Sequence, residues 1–405
     1  MPKTKHRDTK NDEAKKPSSK ASKSKAQPPQ DLGDCAFQVD AKEITKAVRT
    51  LVQSGTFGGG DNDMFGSDGT ASALDALLVR VTKDNELQLA YSKLTVYATT
   101  TLPCVTYKSG EFVIPSTLFS SVKFAASDVT FVLKSRKLTF KSGGVSGNMQ
   151  VSGEAADVES NKPEKIKCDL LLTKPFVTDI ASKLMYSSFD MSLPSYGLPL
   201  QILSRKGRLT LTSSDSICAA MLTRRDDLPD MDLTLPGSAL IQIVKALGCD
   251  EVKLGTNQSQ FRVSGGGYSV YHPIGVYEVV PVADYLKNEV MTQKHDMEVV
   301  VNAPSLCEAL STSMGINKIS KANNIVDLDF SKGMITYRND VAKLTTSFKV
   351  VSCKGSSVKH TTDGQKLLAF LTPVKIMKTA KIILFDSRLL IFTEDESLVY
   401  ILPIQ

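Results

Sequence analysis

The side chains in this sequence whose spacing could do chemistry are mainly cations. Lys42, Lys46 and Arg49 recur at i, i+4 and i+7, which on a helix sets three positive charges along one face. Such a stripe suits screened, interchangeable phosphate contacts that recognise charge and not base identity. It equally suits an ordinary solvated helix face, and taken alone it does not choose between them. Groups suited to catalysis are scarce. There are four histidines (His6, His272, His295, His360) and no GxSxG, HExxH or GxxxxGK[ST] pattern. Gly58-Gly59-Gly60 and Gly265-Gly266-Gly267 do not lie between a strand and a helix start, so they read as turns and not as phosphate loops. The seven cysteines (Cys35, Cys104, Cys168, Cys218, Cys249, Cys307, Cys353) include no CxxC pair and no His at zinc-finger spacing, as expected of reduced, mostly buried thiols. No enzyme, no metal and no cofactor are expected.

Those cations need elements to hold them. The chain has 405 residues, 41% hydrophobic and 23% charged, enough for two to four domains with real cores. Residues 1–34 carry nine Lys or Arg against five Asp or Glu, with one Leu and no aromatic residue, and read as a disordered basic tail. The remainder carries 40 against 38, so a case for nucleic acid must rest on where charges sit and not on their sum. No run of eighteen apolar residues and no apolar leader occurs, so a cytoplasmic protein, at a nucleoid or viral replication site, is expected.

Repetition organises residues 35–405. Three times a short apolar strand leads into one helical stripe: Val39 into Ile44, Ala47, Val48 and Leu51; Leu172 into Val177, Ile180, Ala181 and Leu184; Val301 into Leu306, Ala309 and Leu310. The strand end lies five residues before the first stripe residue each time. A hairpin follows, turning at Lys83-Asp84-Asn85, Arg205-Lys206-Gly207 and Ser331-Lys332-Gly333. A second helix starts near Pro115, Pro236 and Asp363, where Pro in the first turn or Asp at a cap suits a helix start. A closing hairpin ends each repeat. Polar, charged linkers are expected at 155–165 and 282–294, giving domains at 35–158, 166–281 and 296–405. The fold class is α+β: three tandem domains, each with two helices packed on antiparallel sheets.

Tandem domains of this kind leave strand edges open at both ends, and a head-to-tail homodimer would close them. Six domains supply twelve helices; spaced at roughly 10 Å, their axes lie on a circle of radius about 20 Å, which leaves an opening about as wide as a DNA duplex and its water.

Two local segments carry a family resemblance: the ending Val399-Tyr400-Ile401-Leu402-Pro403-Ile404-Gln405, and Ile274-Gly275-Val276-Tyr277-Glu278-Val279-Val280-Pro281 at the end of the second repeat. With the repeated strand–helix beginnings, they make residues 35–405 resemble the bacterial-type β sliding clamp, the processivity subunit of a DNA polymerase III. A divergent member, of a bacteriophage kind, is expected. The resemblance implies a ring around double-stranded DNA, without sequence specificity, that tethers a DNA polymerase and a clamp loader. Its inner face would carry Lys42, Lys46, Arg49, Lys123, Lys174, Lys183, Lys245, Lys318, Lys321 and Lys366. A groove for the short apolar tails of partners would use Thr212, Ile217, Ile274, Val279, Tyr400, Leu402, Pro403 and Ile404. Where the family has Thr-Asp-Gly-His-Arg-Leu this chain has Thr212-Ser213-Ser214-Asp215-Ser216-Ile217, so Thr212 and Ile217 fit and the Gly, His and Arg are missing. Two other readings stay open: that the last strand merely completes its sheet, and that the chain is a non-enzymatic β-rich structural or assembly protein of a virus.

Overall fold

A computed structural model describes residues 31–55, 75–93, 95–116, 122–124, 126–151, 153–184, 199–214, 218–275, 282–286, 288, 292–315, 324–338, 343–355, 359–385 and 387–404. The expected helix after Pro115 runs into residues 117–121, which lie outside them.

The first run of elements is β1 (Cys35–Asp40), α1 (Ala41–Gly55), β2 (Asp75–Val81), β3 (Glu86–Lys93), β4 (Val96–Pro103), β5 (Val105–Lys108), β6 (Gly110–Pro115), β7 (Asp128–Lys134), β8 (Lys137–Ser142) and β9 (Val145–Gln150). After α2 (Ala155–Glu159) come β10 (Leu170–Thr173), α3 (Lys174–Lys183), β11 (Pro199–Arg205), β12 (Arg208–Ser214), β13 (Ala219–Arg225), β14 (Met231–Pro236), α4 (Gly237–Leu247), β15 (Glu251–Thr256), β16 (Gln260–Gly265) and β17 (Tyr268–Pro273). After α5 (Val282–Tyr285) come β18 (Met297–Asn302), α6 (Ala303–Gly315), β19 (Ile325–Asp329), β20 (Met334–Arg338), β21 (Lys343–Ser347), β22 (Val350–Gly355), β23 (Lys359–Asp363), α7 (Gly364–Val374), β24 (Thr379–Phe385), β25 (Arg388–Thr393) and β26 (Leu398–Pro403).

The leading helix of each run starts the same way. The last residue of the strand turns its side-chain oxygen onto the free amides of the first turn: Asp40 accepts from Lys42 and Glu43, Thr173 from Phe176, and Asn302 from Ser305. The helix then buries its stripe, Ile44, Ala47, Val48 and Leu51 in the case of α1. This burial stabilises by about 1.5–3 kcal/mol for each fully buried large aliphatic side chain. At the second helices, Asp363 caps α7, while α4 follows Pro236 and ends on Gly248 in the left-handed region.

Among the described residues the strand pairs are all antiparallel and form four sheets. One holds β5-β1-β7-β8-β9 and another β21-β20-β19-β23. The two between them are continuous across runs: β10-β15-β16-β17 joins β4-β3-β2-β6, and β14-β11-β12-β13 joins β26-β25-β24-β18-β22. The seams are β17 on β4 and β26 on β13.

The two segments expected to be linkers are more than tethers. Val158 of α2 is buried with Leu78, Ala90, Tyr97 and Val113 on the outer side of the first seam. Val282 of α5 and Leu286 beyond it are buried with Phe385, Phe392, Val399 and Ile401 outside the second. Their charged composition hid one apolar plug in each, because a short amphipathic segment needs only one or two buried side chains.

Candidate nucleic-acid interface

The helices lie side by side in one row: α1 against α4, α4 against α3, α3 against α7, α7 against α6. Gln242 of α4 donates to the carbonyl of Gln53 on α1 at 3.3 Å. Each helix buries its apolar side on the sheets, so the opposite side of the row faces solvent.

On α1 the exposed side carries Lys42, Lys46 and Arg49, with Glu43 the one acidic residue among them. Their separation from Ile44, Val48 and Leu51 follows from the 3.6-residue turn. Lys245 on α4 and Lys174 at the start of α3 are exposed; Lys366 in the first turn of α7 is half-buried. Lys183 is tied up locally, 2.8 Å from Asp179, whose other oxygen lies 3.0 Å from Arg224. Lys123 is exposed but stands outside any described helix, and Lys318 and Lys321 lie outside the described residues. The row is therefore most cationic at α1; the exposed side of α6 offers Glu308, Ser311 and Thr312. Two cations missed in the sequence follow α7: exposed Lys375 and Lys378 flank Ile376, which is 88% exposed. Their spacing just after Pro373 was the available signal.

The residues expected to form a partner groove divide between two faces of one sheet. Tyr400, Leu402 and Ile404 point to the helix side and are buried in the main core, and the Tyr400 ring lies 4.7 Å from that of Phe370. Thr212 opposes Met221, which opposes Val399, so it stands on the other face. The two-residue alternation of strands separates what sequence proximity had grouped. Pro403 is exposed and its carbonyl accepts from Thr362 at 3.1 Å; Ile274 is half-buried. Ile217 and Val279 lie outside the described residues. On the outer face of this seam the structure has a cleft of about 550 Å³, floored by Met221, Phe392 and Val399 and edged by Arg205, Arg208 and Glu396.

His272, Cys35 and Cys307 are buried and neutral. His272, 1% exposed, has its pKa pushed down to about 4 by burial, while its Nδ1 donates to the carbonyl of Pro273 at 2.6 Å. Burial raises the Cys35 thiol to about 12 and that of Cys307 to about 11, which keeps both protonated and unreactive. Among the described residues no cluster of His, Cys, Asp or Glu could hold a metal ion, and no helix is long and apolar enough to cross a membrane.

No family model and no curated protein matches the chain by sequence. Solved structures do match by shape. The DNA polymerase sliding clamp of Bacillus subtilis superposes with a TM-score of 0.75 at 14% identity, covering 92% of this chain and 100% of that one. The DNA polymerase III subunit beta of Pseudomonas aeruginosa gives 0.74 at 16%, covering 91% and 99%. The beta subunit of Thermotoga maritima gives 0.71 at 14%, covering 92% and 99%. Over about nine-tenths of its length, at low sequence identity, this chain has the fold of the DNA polymerase III beta-subunit sliding clamps.

Proposed function

We propose that this chain is a sliding clamp: two copies close head to tail into a ring that encircles double-stranded DNA without reading its sequence and tethers a DNA polymerase and a clamp loader. Its domains would be 35–158, 166–281 and 296–405. The observation that carries this reading is the strand order. In the second run the closing strand β17 docks on β4 of the first, and in the third run β26 docks on β13 of the second. The corresponding strands left at the sheet ends are β9, which closes the first run, and β21, the counterpart of β4 and β13 in the third. The two ends are thus the two halves of one more seam, and a second copy supplies what each lacks.

The helix row would line the hole, with Lys42, Lys46 and Arg49 as its principal phosphate contacts and Lys123, Lys174, Lys183, Lys245, Lys318, Lys321 and Lys366 contributing as each is reached. Contacts of this kind hold the duplex by screened charge, which permits sliding. Partner tails would dock at the seam of β13 and β26. The cleft there is apolar at its floor and charged at its rim, and Thr212, Ile217, Ile274, Val279 and Pro403 would surround it, with Tyr400, Leu402 and Ile404 supporting the strand from below. Nothing in this reading asks the chain to catalyse a reaction.

The test is topological. The protein is bound to a nicked circular duplex with a loader present, and the DNA is then cut once. A ring is retained on the circle and lost from the linear form; equal retention on both, as expected of an assembly protein that adheres to DNA, overturns the reading.

A further inference from the structure

The two seams within the chain share one register. In the strand pairs leading to them, Leu102 opposes Leu87 and Arg224 opposes Leu209; in the third run Thr346 opposes Ile335. Four residues before Leu102 and Arg224 stand Ala98 and Ala220, each at the middle of its seam, facing Val270 and Tyr400. The same count from Thr346 reaches a third alanine, Ala342, evenly spaced in sequence from the other two and outside the described residues. On the facing strands, Val270 opposes Val263, Tyr400 opposes Ile391 and Gly147 opposes Phe140, which are corresponding places in the three closing hairpins.

Resting on the ring reading, we infer that the seam between copies follows this register: Ser146 of one copy lies opposite Lys343 of the other, and Val145 opposite Leu344. Exposure supports the second pair. The corresponding pairs within the chain, Tyr268 with Thr100 and Leu398 with Leu222, are buried. Val145 is 39% exposed and Leu344 half-buried, as the apolar halves of an open seam would be.

The register also sets the chemistry of the outer face. At the first seam the row across four strands reads Ala90, Thr99, Ser269, Ser264, and at the second Thr212, Met221, Val399, Phe392; neither carries a charge. At the seam between copies it reads Arg338, Lys343, Ser146, Lys141, since Arg338 opposes Lys343 and Lys141 opposes Ser146. All four are exposed. Like charges brought into one row oppose closure, and mobile anions screen them. Salt therefore tightens this ring while it loosens the ring's hold on DNA.

The experiment uses the full chain with Cys353→Ser, which removes the exposed thiol, as background. Ser146→Cys with Lys343→Cys is compared with Ser146→Cys with Thr345→Cys under mild oxidation, alongside sedimentation equilibrium of the unaltered protein and of Lys343→Glu. Expected are covalent dimers from the first pair and few from the second. The dimer constant should tighten about threefold or more between 50 and 500 mM salt, a difference that Lys343→Glu abolishes by replacing a like charge in the row with an opposite one. Dimers that cross-link at the shifted pair, or that loosen with salt, overturn the register and leave the ring standing. A chain that sediments as a monomer throughout overturns both.

Discussion

The hydroxyl of Tyr400 donates a 2.8 Å hydrogen bond to the backbone carbonyl of Lys183, at the end of α3. It ties the last strand of the third run to the leading helix of the second, and burial pushes the phenol far above its usual range, so it remains a donor at every accessible pH. The same residue sits in the middle of the second seam, opposite Ala220. A residue singled out in the sequence for a partner groove thus also joins the third run of elements to the second.

Tyr400→Phe keeps the ring against Phe370 and removes only the hydroxyl. Stability should fall by about 1–2 kcal/mol, because the Lys183 carbonyl at a helix end loses its donor. Urea midpoints of the two proteins check this. An unchanged midpoint would show that water replaces the hydroxyl at no cost.

Reversing Lys42, Lys46 and Arg49 to Glu alters exposed side chains only, so folding should be untouched. If the helix row faces DNA, the salt dependence of binding should flatten by about 0.9 in log–log slope for each phosphate that is no longer neutralised. Retention on nicked circles should fall with it. Thermal melting serves as the control, and a triple variant that binds with the original slope would place the DNA elsewhere.

His272 makes stability pH-dependent. Its folded pKa, about 4, lies below the ordinary histidine value of 6.5, so between those limits the unfolded chain binds a proton that the native chain refuses. The stabilisation is complete above pH 6.5, is lost as pH falls from there to 4, and changes no further below. The span corresponds to about 3 kcal/mol. Denaturation of His272→Gln at pH 7 and pH 4.5 should show a smaller acid loss than the unaltered protein; an equal loss in both would assign it to the carboxylates.

Gly255 in β15 lies beneath the backbone that enters the second run: a Cβ there would stand 2.0 Å from the carbonyl oxygen of Lys167 and 2.7 Å from its carbon. Backbone cannot swing away as a flexible side chain can, so Gly255→Ala should destabilise by roughly 1–3 kcal/mol. The measurement is again a urea midpoint. A neutral substitution would mean that residues 167–168 can lift off the strand.

Much of this protein is written locally. The five-residue offset from Val39, Leu172 and Val301 to their helical stripes exposes the repeat because a strand end and a helix start are set by neighbouring residues, and the caps Asp40, Thr173 and Asn302 sit in that gap. The cationic side of α1 was legible for the same reason: Lys42, Lys46 and Arg49 diverge from Ile44 and Val48 by helical geometry alone. What tertiary structure decided are relations between distant segments. Seam pairing turns Tyr400 and Leu402 inward and Thr212 outward, and seats Val158 and Val282 as plugs over the joints. It also brings Arg224 from a distant strand onto Asp179, whose other oxygen holds Lys183 one helical turn on. Which face of a strand is buried, and which charge is already neutralised, depends on what packs against it from far along the chain, and no local pattern encodes that.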